Sequence, residues 1–172
     1  MKLILLYLLL SLPLSMKSAD ISNGQVDLSG TCEIASCGDN EFVLYLNGQQ
    51  IAEGKKWNSL QINTVSLKAG DILAAKVKDK EGGKSGGFFF AIRKDGKIIS
   101  DVSIFKYTDW PPSDWLTSSS MDGFQQPKIE RHIGQTMGGI RNPKYAWGGK
   151  RVDTYYFKFV VPKAEQGAAA NP

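Results

Sequence analysis

The sequence predicts an all-β chain closing two antiparallel layers into a single β-sandwich. Three observations carry this: short apolar runs divided by Gly, Asn and Asp, the pairs Asn47-Gly48 and Asp95-Gly96 between such runs, and the lack of any long stretch with helical periodicity. With 172 residues, 42% of them hydrophobic, the chain has enough apolar material for one core and is neither disordered nor collagen-like in composition.

Taken in order, residues 1–19 read as a secretory signal peptide. Met1-Lys2 precedes the apolar run Leu3 to Leu10, and Pro13 and the small residues Ser15, Ser18 and Ala19 follow. The run is too short to span a bilayer, so export without stable membrane insertion and an extracellular location are expected. Residues 20–163 form the predicted sandwich and 164–172 a disordered tail. Without the leader's Lys2 and Lys17, 19 basic residues face 17 acidic ones. The scattered lysines form no stripe of the kind that binds nucleic acid. Export permits a disulfide, and the two cysteines, Cys32 and Cys37, are expected to pair as a small local staple.

The predicted strands are Val26 to Ile34, Glu41 to Leu46, Leu60 to Leu67, Asp71 to Lys78, Gly87 to Lys94, Lys97 to Ser100 and Thr154 to Val161. Asn-Gly between apolar runs signals a type I′ hairpin, because both residues accept the positive φ it needs. Phe42, Leu44 and Leu46 alternate with Val43 and Tyr45, so that strand is expected to be central and buried on both faces. The glycine-rich segment 81–87 reads as a flexible connection, and Thr108 to Ala146, rich in Pro, Ser and Gly, as a long irregular loop.

No nucleophile elbow, phosphate loop or zinc motif occurs, and His132, the single histidine, lies in the long loop. A non-catalytic role is therefore expected. Of four tryptophans, Trp57 and Trp110 sit beside polar or turn residues and offer flat faces for a sugar ring. Trp115 and Trp147, in similar surroundings, are expected to plug the ends of the sandwich. If the long loop folds back over the rim, Trp110, His132 and Arg141 share a concavity with Trp57.

Gly38-Asp39-Asn40-Glu41-Phe42-Val43-Leu44-Tyr45-Leu46-Asn47-Gly48, followed by Gly54-Lys55-Lys56-Trp57, resembles the galactose-binding-like β-sandwich modules attached to bacterial rhamnosidases. Ala69 to Val77, Gly83 to Ala91, Asp95-Gly96 with Ser100-Asp101, Ala146-Trp147 and Tyr156 to Phe159 are similar to further pieces of those modules. The Tyr-Phe strand comes last here and first there, an order related by circular permutation, and Ile104 replaces a family Trp.

The resemblance implies a jelly-roll sandwich that binds carbohydrate or glycoprotein, with a calcium ion held by Asp39 and Asn40. It also implies Trp57 as the stacking residue and the segment after Asp101 as part of the rim. Asp39 and Asn40 are equally favoured as plain turn residues. The expected ligand-binding set is Asp39, Asn40, Trp57, Asp101 and Trp110. Two other readings stand beside this lectin-like one. One is a matrix or cell-surface protein-interaction module. The other is a small glycoside-active enzyme using carboxylates among Asp101, Asp109, Asp114 and Asp122.

Overall fold

A computed structural model describes residues 26–57, 59–79, 87–148 and 153–163. The expected leader, most of the glycine-rich connection and the expected tail lie outside the described residues. The chain is all-β, with two antiparallel sheets facing one another. The first sheet takes the order β4 (Gln61–Leu67), β1 (Gly30–Gly38), β6 (Phe88–Lys94), β12 (Lys144–Trp147), β9 (Lys128–Arg131), with β7 (Lys97–Asp101) also on β6. The second runs β3 (Gln49–Gly54), β2 (Glu41–Leu46), β5 (Ile72–Lys78), β13 (Thr154–Val160), β8 (Lys106–Thr108). Two-residue strands β10 (Thr136–Met137) and β11 (Ile140–Arg141) pair only with each other. No helix among the described residues is long and apolar enough to cross a membrane.

Period two explains the core. Phe88, Phe90 and Ile92 of β6 point inward against Phe42 and Leu44 of β2 and Tyr155 and Phe157 of β13, all buried. The Phe88 ring stacks on Phe157 at 5.2 Å between centroids and meets Phe105 edge-on at 5.6 Å. Both predicted turns are present, with φ of 51° and 81° at Asn47-Gly48 and 51° and 72° at Asp95-Gly96. Asn47 fastens its turn to the link between β4 and β5: its Oδ1 accepts from Ile72 N at 2.8 Å and its Nδ2 donates to the buried Asp71 Oδ1 at 2.9 Å.

The second sheet is apolar on its outer face as well, because residues 109–126 cover it. Trp115 packs edge-on against Tyr156 at 5.2 Å and Tyr45 at 6.2 Å, and Phe124 lies beside them. The buried Lys158 ammonium donates to Ser120 O at 2.8 Å and sits over the Phe124 ring. Burial holds its pKa below the usual lysine range against a smaller opposing pull from Asp114. Trp115 is thus a packing residue, but it covers the outer face of the second sheet and does not plug an end of the sandwich as expected.

Four expectations are corrected. First, β1 starts and ends later than its apolar run, because Ala35 to Gly38 pair with the middle of the first sheet. Second, β3 is an unpredicted edge strand. Of its residues only Ala52 and Gly54 are buried, so no apolar run marks it, and a Cβ on Gly54 would come 2.4 Å from Phe42 Cε1. Third, β2 lies inside its sheet but one place from the edge; β5 is central. Fourth, the long loop is not irregular throughout. It holds β9, β10, β11 and β12, which form by pairing with each other and with β6 rather than by local propensity.

The cysteines do not pair: both are free and buried. They lie five positions apart on one extended strand, so they face opposite sides of the sheet, roughly 16 Å apart at Cα. A disulfide needs about 4.4–6.8 Å. Burial raises both thiol pKa values, Cys37 to about 12 with help from the Asp39 charge. Neither thiol is therefore expected to react with an alkylating reagent before unfolding, and intact mass should show both sulfurs reduced. Rapid native labelling, or a mass lower by two hydrogens, would contradict this.

Candidate functional site

The outer face of the first sheet is only partly covered. An arm between β9 and β12 folds back over it: His132 N donates to Pro143 O at 3.0 Å, Asn142 N to Gln135 O at 2.9 Å and Gly134 N to Asn142 Oδ1 at 2.8 Å. The arm's tip is held by Arg93, which donates to Gly138 O, and by Met137 and Ile140 packed on the core.

Beside the arm lies a recess of about 300 Å³ lined by Cys37, Asp39, Asn40, Trp57, Gly87, His132, Gln135, Tyr145 and Trp147. Sheet residues Cys37 and Tyr145 share its face of β1 and β12, each flanking Phe89 in the register. Gly87 permits a close approach here, since a Cβ would come within 3.1 Å of Tyr145 Cβ and 3.2 Å of the Trp147 ring. The walls come from connections. Asp39-Asn40 is the turn that carries the chain from the first sheet to the second, with Asn40 at φ 64° and Asp39 N bonded to Gly87 O at 2.9 Å. Asn40 Nδ2 donates to Asp39 Oδ1 at 2.8 Å. Trp57, from the link between β3 and β4, is 58% exposed.

The His132 ring lies against Tyr145 with centroids 4.3 Å apart, and its Nδ1 is 3.2 Å from Gln135 Oε1. Burial, then the neighbouring Cys37, raises the Tyr145 phenol to about 12, so it stays protonated. Trp147 Nε1 is buried without a hydrogen-bond partner among the described residues, so packing, not that donor, sets the ring's position. Cys37 beside His132 does not make an activated nucleophile, because a reactive cysteine needs its thiol pKa lowered and this one is raised.

The structure brings Asp39, Asn40 and Trp57 together and separates Asp101 and Trp110 from them. Asp101 lines a neighbouring cavity, where Oδ2 pairs with Lys144 Nζ at 2.8 Å and Oδ1 accepts from Ser103 N at 2.9 Å and from the Ser103 hydroxyl. It caps the 3-10 turn Val102–Ile104 and ties it to β12. Trp110, 88% exposed, belongs to an open concavity in the segment over the other sheet. His132 joins Trp57, whereas Arg141 lines the Asp101 cavity. Trp147 lines the recess on the outer face of the first sheet rather than plugging an end of the sandwich as expected. The sequence ties His132 to Trp57 only if the long loop folds back, and it does not assign Tyr145, Gln135 or Trp147 to the site. Tyr145 and Trp147, two residues apart, carried the period-two signal that puts both on one strand face.

Calcium takes six to eight oxygens; the recess offers Asp39 and Asn40 toward such a set, and no group of three or more His, Cys, Asp or Glu side chains that could hold a metal ion is found among the described residues.

Asp101 gives a pH prediction. Burial pushes its pKa up, but the Lys144 ammonium and the Ser103 hydroxyl and amide outweigh this and hold it below the ordinary 3.8. Its contribution to stability is thus fully present above that value and is lost as pH falls through the lower folded pKa. Asp101→Asn is expected to unfold more easily at neutral pH and to lose less stability on acidification than the parent. Parallel stability curves down to about pH 2 would contradict this.

Comparison with protein-family models, with curated proteins and with solved structures finds no match to this chain.

Proposed function

We propose that the protein is a secreted, non-catalytic carbohydrate-binding β-sandwich of the galactose-binding-like jelly-roll kind, with the recess around Trp57 as its binding site. The observation that carries the reading is the convergence of three aromatic side chains, Trp57, Tyr145 and Trp147, with Asp39, Asn40, His132 and Gln135 around one small cavity. A sugar ring has an apolar face for an aromatic ring and hydroxyls for carboxylate and amide oxygens. A recess of about 300 Å³ is at the small end for ligand pockets and suits a single ring or chain end. Among the described residues that line the recess there is one carboxylate, Asp39, whereas glycoside hydrolysis uses two. The leader-like residues 1–19 support export.

A glycan array tests the reading. The protein is expected to bind a defined set of glycans, to lose them in Trp57→Ala, and to retain them in Trp110→Ala. EDTA tests the calcium implied at Asp39 and Asn40: binding lost in EDTA and restored by added calcium would support it, and binding unchanged in EDTA would remove calcium from the proposal. Absence of signal on every glycan would overturn the proposal in favour of a protein partner, and product release from a polysaccharide would overturn its non-catalytic part.

A further inference from the structure

The neighbouring cavity, about 260 Å³, lies between β7 and the arm, and its lining includes Ile98, Asp101, Arg131, Ile140, Arg141 and Lys144. Three cations thus meet one carboxylate. Asp101 is engaged by Lys144 and Ser103, and the nearest acidic neighbour in sequence, Glu130, pairs with Lys128 at 2.6 Å. Among the described residues neither Arg131 nor Arg141 belongs to an ion pair, and both are exposed.

Their gathering is imposed by the fold. Arg131 and Lys144 are register partners in β9 and β12. Arg141 is brought back to them by the turn at Asn142, whose φ of 53° and bond to Gly134 N fix it. Like charges held together in this way repel, and a ligand anion removes that cost. A guanidinium matches carboxylate or sulfate oxygens with two parallel N–H donors. The apolar side of the cavity, with Ile98 half exposed and Ile140 partly buried, offers a surface for the body that carries the anion.

We propose that this cavity is an anion-binding site, distinct from the Trp57 recess, in which Arg131 and Arg141 clamp a carboxylate or sulfate group and Ile98 and Ile140 contact the ligand's body. Titration of the folded protein at low ionic strength with galacturonate, galactose and inorganic sulfate tests it. Galacturonate is expected to bind saturably, more weakly as salt rises. Affinity should fall at least about tenfold in Arg131→Gln/Arg141→Gln, the loss of a charge-assisted pair. Arg141→Lys, which keeps the charge and loses the fork, should fall less, and Trp57→Ala should leave this binding unchanged. Sulfate bound with the same arginine dependence identifies the anion itself as the ligand; galacturonate bound without sulfate identifies an acidic sugar. Failure of both anions to bind, binding unaltered in the double variant while its thermal unfolding matches the parent, or equal arginine-dependent binding of galactose would overturn the proposal.

Discussion

Phe88→Ala is expected to lower the free energy of unfolding by about 3–5 kcal/mol, the usual cost of removing a fully buried phenylalanine. Phe88 sits where the two sheets meet, stacked on Phe157, edge-on to Phe105 and close to Phe42 and Phe90, with no exposed surface. Strand β6 is paired on both sides, by β1 and by β12 and β7. No chain end or loop can collapse into the space that its side chain leaves. Since a domain's whole stability is roughly 5–15 kcal/mol, the variant should unfold at much lower urea concentration. A loss below about 1 kcal/mol would mean that the two layers do not share this core.

Trp57→Ala is expected to act in the opposite way, with little effect on the fold and a large one on binding. The ring is more than half exposed and lies in a connection, so the urea midpoint should hardly move. Glycan affinity should drop by about 30-fold, equivalent to the roughly 2 kcal/mol that a central aromatic contact contributes. The comparison with Trp110→Ala separates stacking in the recess from general surface aromaticity, because Trp110 is the more exposed of the two and lies away from the recess. Unchanged affinity in Trp57→Ala would remove the ligand from the recess.

Much of the sandwich is legible in the sequence where local chemistry decides the structure. Asn47-Gly48 and Asp95-Gly96 demand positive φ, and both hairpins follow. Glu41–Leu46 alternates and is the strand predicted. The sequence is silent where a strand is made by its partners. Edge strand β3 buries little, and β9 and β12 depend on long-range pairing that no run of apolar residues announces. The cysteine pairing failed because nearness along an extended strand is not nearness in space.

The same division holds for the site. Asp39, Asn40 and Trp57 were legible as an acidic turn and an exposed ring. His132 and Gln135 reach the recess only because the arm folds back over the sheet, and Asp101, at the end of β7, lies in the neighbouring cavity with Lys144.

The most direct test is the indole N–H spectrum of the protein during titration with an array-selected sugar. Its four tryptophans give four resonances, each reporting one place. If a sugar ring occupies the recess on the outer face of the first sheet, the Trp57 and Trp147 signals move with a common saturation curve while those of Trp110 and Trp115 stay still. Movement of Trp110 alone, or saturable binding that leaves Trp57 and Trp147 in place, would contradict it.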